Sequence, residues 1–156
     1  MTSDERIDRF VAAAKSFRRF VQRAAALELP ERLGVARIIL AELHAAACDL
    51  PRGAVIDFDA MPSEALPPEW PGFEDFEFYW EIFDPYELDS AVAGALSEDV
   101  ANIYDNLERG FADLAGGGDL DAVVWQWRHS FEAQWGERAS SALRALHFAY
   151  ARVDDD

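Results

Sequence analysis

The sequence predicts an all-α protein, an antiparallel bundle of four to five helices, with one long acidic and aromatic connection between the second and third. Three observations predict it. Apolar residues recur at spacings of three and four through most of the chain, the period of helices with one buried face. That period disappears only between Pro51 and Asp89, where six prolines and two glycines punctuate the chain. At 156 residues and 51% hydrophobic, the chain has the size and apolar content for one sizeable core. Residues 1–153 are accordingly read as a single helical domain, followed by the acidic tail Asp154, Asp155 and Asp156.

The first helix is carried by Ile7, Phe10, Val11, Ala14, Phe17 and Val21, with Ser3 as its expected N-cap. Arg6, Arg9, Lys15, Arg18, Arg19 and Arg23 occupy its other faces. Pro30 suits the first turn of a second helix, which runs through Leu33, Ala36, Leu40, Leu43 and Ala47 and ends near Asp49-Leu50-Pro51. Val35, Ile38 and Ile39 widen its apolar surface, so it is expected to be the most buried helix. His44 is expected at the border of that surface, and Cys48, the single cysteine, as a small buried hydrophobe.

In the connection, Phe76, Phe78, Trp80 and Ile82 alternate with Glu77, Tyr79 and Glu81, the period of two expected of a strand. Val55, Ile56 and Phe58 offer a short extended partner, which leaves room for a two-stranded β-ribbon. Such a ribbon is marginal unless it packs on something else, and the even-numbered aromatics are expected to attach it to the bundle. Asp84-Pro85-Tyr86-Glu87 then carries a helix-start signature: Asp as N-cap, Pro at the first position, Glu at the third. The third helix is expected to begin there or to restart at Asp89 or Ser90. It runs through Val92, Leu96, Val100, Ile103, Leu107, Phe111 and Leu114, and Gly116-Gly117-Gly118 ends it. Asp119 caps a fourth helix with Val124, Trp127, Phe131 and Trp135 on one face. Gly136 is a place where it bends or divides before Ala139, Leu143, Leu146, Tyr150 and Val153 continue the pattern. Trp125 lies about 200° from Trp127 on an ideal helix and cannot share its face. The Phe76–Phe83 segment is its expected cover.

Charge narrows the function classes. The formal net charge is −16, and residues 53–108 contain fifteen acids and no Lys or Arg. Direct binding of nucleic acid or anionic membrane is not expected, because phosphate contacts need cations. A basic partner is compatible, and so are the chain's own N-terminal arginines. No run approaches the roughly 20 apolar residues of a membrane span, and the charged start resembles no secretory signal, so a cytoplasmic protein is expected.

Three stretches carry a family resemblance: YWEIFDPY at 79–86, LSEDVANIYDNLERG at 96–110 and WQWRHSFEAQWGERASSALRALH at 125–147. Together they resemble a family of small bacterial proteins known only as a domain of unknown function. The resemblance implies a small, mostly helical bacterial protein and supplies no activity or catalytic residue.

The reading that best fits these features is a non-enzymatic interaction or regulatory module without a cofactor. Its acidic-aromatic surface, with Trp70, Glu74, Asp75, Glu77, Tyr79, Glu81 and Tyr86 as binding residues, would dock a basic protein: carboxylates steer the encounter and aromatics anchor it. The alternative is a metal-dependent enzyme. His129 and Glu132, three apart on one helix, would share a metal with His147 if the helix divides at Gly136. Against that stands an ordinary Arg128–Glu132 surface pair. A third reading is mimicry of nucleic acid toward a DNA-binding protein. No nucleophile elbow, phosphate loop or cysteine-rich metal spacing is present.

Overall fold

The computed structural model describes residues 1–52 and 65–153. Helix α1 spans Ser3–Arg23, α2 Leu29–Cys48, α3 Leu96–Ala115, α4 Leu120–Ser130 and α5 Gly136–Val153. A two-stranded antiparallel sheet, β1 (Phe78–Glu81) and β2 (Val92–Ala95), precedes α3. The mostly helical fold expected from the sequence is therefore present. Helix α1 packs on α2 and α3, α2 on α5, and α3 on both α4 and α5. No described helix is long and apolar enough to cross a membrane.

The cap of α1 is Thr2, one residue before the expected Ser3. Thr2 Oγ1 accepts the Glu5 amide at 3.2 Å and Glu5 Oε2 accepts the Thr2 amide at 2.8 Å. Only Thr2 places an acid at the third helical position and closes this reciprocal pair. Ile7, Phe10, Ala14, Phe17, Phe20 and Val21 are buried beneath it. On the outer side Arg18 forms a bidentate pair with Glu108 of α3, at 2.6 and 3.1 Å, and lies over the Phe111 ring. One acid of the basic-free block thus meets an N-terminal arginine.

In α2, Leu33, Ala36, Leu40, Leu43, Ala46 and Ala47 enter the core. Ile38 remains exposed on the opposite side. Cys48 is exposed as well, contrary to the burial expected of it. It stands one turn beyond His44 at the outer edge of the helix, with its Sγ 3.6 Å from His44 Nδ1. His44 is half-buried, as a border histidine should be, with Nε2 3.2 Å from Ser140 Oγ of α5.

The buried Arg32 anchors the connection to α2. Its guanidinium donates to the carbonyls of Leu27 and Gly72, both at 2.8 Å. Gly72 turns the chain with φ of +68°, a conformation that costs glycine little. Phe73 is fully buried beyond it. Trp70 packs edge-on against Phe20 and Phe73 and donates its indole N–H to Ser97 Oγ at 2.9 Å.

One expectation about the connection needs correction, and another falls outside the described residues. The strand partner is Val92–Ala95, with Phe78 opposite Ala95, Tyr79 opposite Gly94, Trp80 opposite Ala93 and Glu81 opposite Val92. Val55, Ile56 and Phe58 lie outside the described residues, as does the Asp154–Asp156 tail. Asp84–Glu87 does not start α3. It forms a tight turn in the hairpin loop, where Asp84 accepts the Tyr86 amide on its side chain (2.9 Å) and the Glu87 amide on its carbonyl (3.1 Å). An Asp-Pro pair serves such a turn as well as it serves a helix start. The cap of α3 comes instead from Glu77. Its carbonyl accepts the Leu96 amide at 2.8 Å, and its carboxylate accepts the Ser97 amide at 2.6 Å and the Ser97 hydroxyl. A carboxylate at this helix end also meets the positive pole of the helix dipole.

The Gly116–Gly118 run ends α3 as expected, with Gly117 at φ +89°. Asp119 caps α4, and its chain passes into α5 through a π turn, Phe131–Trp135. The Gly136 amide donates to the Phe131 carbonyl there, and a side chain at Gly136 would collide with that carbonyl and the Phe131 ring. Trp127 and Trp135 are both fully buried, with Phe131 half-buried between them.

Candidate functional site

A cavity of about 500 Å³ opens where β2 runs into α3 and the first turns of α5 pass beside it. Its floor is Asp99. On α3, Asp99 falls three residues after Leu96 and four before Ile103, in the middle of the apolar stripe, and it is only 3% exposed. A carboxylate at a core position must be paired or protonated. Here Tyr79 donates its hydroxyl to Asp99 Oδ2 at 2.5 Å, and Arg138 donates to Oδ1 at 3.3 Å.

Tyr79 reaches Asp99 because it crosses Gly94, its partner across the strand pair. A Cβ at that glycine would occupy the Tyr79 ring. Hence Gly94→Ala is expected to push the phenol off Asp99 at a cost of about 1–3 kcal/mol. The measurement is an NMR titration of the Asp99 carboxyl beside a denaturation curve. Tyr79→Phe should reproduce the upward titration shift without the steric cost. An unchanged titration in both variants would dismiss the contact.

Burial pushes the Asp99 carboxyl up to about 6, and the negative charge of Glu81 adds to that effect; the hydrogen bonds from Tyr79 and Arg138 pull the other way. Burial, then the bond to Asp99, raise Tyr79 well above the ordinary tyrosine value, so its O–H stays intact as a donor. The result is a carboxyl that exchanges its proton near neutrality, between a fixed phenol donor and a guanidinium.

The strand alternation has the expected period and the opposite phase. Tyr79 and Glu81 turn inward, while Phe78 (77% exposed), Trp80 (76%), Ile82 and Phe83 turn outward. Of the even-numbered aromatics, Phe76 is half-buried against the core, whereas Phe78 and Trp80 do not attach the ribbon to it. The attachment comes from Tyr79 to Asp99 and from Glu77 to the start of α3. Phe76, Phe78, Trp80, Ile82 and Phe83 instead form one wall of a groove of about 1090 Å³, opposite Arg144, Ala145, Phe148 and Arg152 of α5.

The predicted binding residues consequently separate. Trp70, Glu77 and Tyr79 are engaged by hydrogen bonds within the fold, Glu81 borders the cavity, and Glu74, Asp75 and Tyr86 are exposed. Tyr86, at 95%, is the most exposed of the aromatics proposed as anchors. The expected cover of Trp125 is also not where its ring finds a partner. Trp125 is half-buried and stacks on His129 at 4.9 Å with the rings 5° from parallel.

The metal alternative does not assemble. His129 is taken up by that stacking, and Glu132 is exposed and held by Arg128 at 2.9 Å, which keeps its carboxyl below the usual range. His147 is exposed with its ring edge-on to Phe148. Among the described residues no three of His, Cys, Asp and Glu gather as metal ligands. Asp99 and Arg138 were absent from the residues singled out by sequence. An acid within the apolar stripe of α3 was the readable signal for the first; nothing local marks the second.

No curated protein matches this chain. Among solved structures, the fold is similar to that of protein BF1032 from Bacteroides fragilis, a structural-genomics target. The two are 22% identical, with a TM-score of 0.72 over 92% of this chain and 91% of that one, a likeness of fold. A family model matches residues 72–152, which include both strands, the cavity and nearly all of α3 to α5. On that match the chain belongs to the family described as Domain of unknown function (DUF5063).

Proposed function

We propose that the protein is a non-enzymatic interaction module that docks a basic partner protein on the outer face of the β1–β2 hairpin. The observation that carries this reading is the exposure of Phe78, Trp80, Ile82, Phe83 and Tyr86 on one hairpin. Contiguous exposed apolar groups of this kind mark interaction sites, whereas scattered single ones do not. Burying one such side chain against a partner contributes roughly 1.5–3 kcal/mol. Around them stand the exposed acids Glu74, Asp75, Asp84, Glu87 and Asp89, with no Lys or Arg between residues 53 and 108. Carboxylates so placed speed the encounter with a basic surface, while aromatics hold the complex. Of the residues proposed from sequence, Glu74, Asp75 and Tyr86 remain in this surface.

The test compares partner capture by the native chain, by Phe78→Ala/Trp80→Ala, and by Asp84→Asn/Glu87→Gln/Asp89→Asn. The expected result is one basic protein whose dissociation constant rises by about tenfold or more in the aromatic variant. In the acid variant its association rate should fall and lose salt dependence. A partner held equally by all three chains, or one without a basic surface, would overturn the reading. Release of the partner by duplex DNA would identify it as a DNA-binding protein and favour mimicry.

A further inference from the structure

The hairpin loop and the groove beside it carry opposite charges and a common apolar character. Every residue from 82 to 93 is exposed, with Tyr86 at 95% and Leu88 at 102%. The loop's charges are Asp84, Glu87 and Asp89, with no Lys or Arg among them. Asp84 and Asp89 accept backbone amides of the loop itself, and none of the three acids has a salt bridge among the described residues. Across the groove, Arg144 and Arg152 are exposed on α5 with Phe148 midway between them. Both guanidiniums lie over the Phe148 ring, at 5.3 and 5.9 Å, and neither meets a carboxylate among the described residues. Phe83 and Pro85, at the base of the loop, belong to the opposite wall. In its own chain the loop therefore stands beside the groove and pairs with neither arginine.

Two free guanidiniums on an aromatic wall fit an acidic segment with exposed apolar side chains, and this loop is such a segment. We propose that two copies of the chain associate by placing each hairpin loop in the other's groove, its acids on Arg144 and Arg152. Such an exchange is self-complementary, as a two-fold dimer requires. The area suffices as well. Phe78, Trp80, Phe83, Tyr86, Leu88 and Phe148 together expose on the order of 900 Å² per copy. A standard interface takes roughly 800 Å² per partner. The charge of −16 on each chain opposes association. At physiological salt, however, exposed charges more than about 8 Å apart are largely screened, so the contact itself decides. Arg144 and Arg152 set this contact apart from the basic-partner reading, because a basic surface gains nothing from them. The same hairpin serves both, so dimer and partner compete for it.

Sedimentation velocity over a concentration series, in reducing buffer to exclude a Cys48 disulfide, tests the proposal. The native chain should pass from monomer to dimer as concentration rises. Arg144→Glu/Arg152→Glu and the loop variant Glu87→Lys/Asp89→Lys should each weaken self-association by about tenfold or more. Asp84 is left in place because it holds the turn. An equimolar mixture of the two variants restores opposite charge at both contacts and should dimerise again, which a variant that had merely lost its fold could not do. Phe148→Ala, at an exposed position, should weaken the dimer several-fold without touching a charge. A native chain still monomeric at about 1 mM would leave the groove to another occupant and overturn the proposal. So would a dimer indifferent to both charge reversals, or a mixture that fails to reassociate.

Discussion

Trp127→Ala is expected to lower stability by about 3–5 kcal/mol, the range for removing a fully buried aromatic side chain. For a chain of this length that corresponds to a melting temperature lower by on the order of 10 °C. The indole is 0% exposed and sits between Phe10, at 5.1 Å between ring centres, and Phe111, at 5.3 Å. Its Nε1 donates to the Leu107 carbonyl at 3.4 Å. Gly110 lets the ring come this close to α3, since a Cβ there would lie within the indole. Truncation leaves a cavity at the meeting of α1, α3 and α4, and three helices cannot all close around it. Trp125→Ala supplies the contrast: that ring is half-buried and touches His129 on its own helix, so the cost should stay under about 1 kcal/mol. Urea denaturation of the two variants checks both figures. Similar losses in the two would mean that Trp127 is not the centre of the core.

Asp99→Asn is expected to change how stability depends on pH, by roughly 3 kcal/mol across the titration. The native carboxyl is raised from 3.8 to about 6, so between pH 4 and 6 the folded chain holds a proton that the unfolded chain has released. Stability from this group is therefore present at acid pH, falls as pH rises through that window, and levels off above about 7. At about 1.4 kcal/mol per unit, the displacement sets the magnitude. Asparagine does not titrate, so the variant should gain on the native protein as pH rises from 4 to 7. The general repulsion of the acidic surface is nearly common to both chains and cancels in the difference. Denaturation midpoints at several pH values provide the measurement, and parallel profiles for the two proteins would rule the assignment out.

Periodicity made the helices legible. Phe10, Leu40, Ile103, Trp127 and Leu146 all fall in the core where the three-and-four spacing put them, because burial of one face is what creates that spacing. The connection was less legible because its signals are ambiguous in one dimension. Asp84-Pro85 reads as a helix start or a turn, and the distinction depends on Val92–Ala95 pairing with β1, a contact between distant residues. A strand's alternation announces two faces without saying which is inside. That choice was made by Gly94, which leaves room for the Tyr79 ring, and by Asp99, which accepts the hydrogen bond of its hydroxyl. The cavity was half legible: Asp99 is conspicuous as an acid in an apolar stripe, but Arg138 reaches it from 39 residues away. Cys48 shows the limit of composition, since a helix-terminal position overrode the usual burial of a free thiol.

The π turn at Phe131–Trp135 makes the cavity sensitive to chain length as well as to side-chain chemistry. A π turn amounts to one residue inserted into an α-helix, and each helical residue turns the azimuth by about 100°. Everything after it, including Arg138 opposite Asp99, owes its heading to that single insertion. Deleting one residue here would turn a different side chain toward Asp99 while leaving every nearby amino acid unchanged. Among relatives, a gap of one position between the two tryptophans would thus signal a changed site more strongly than many substitutions.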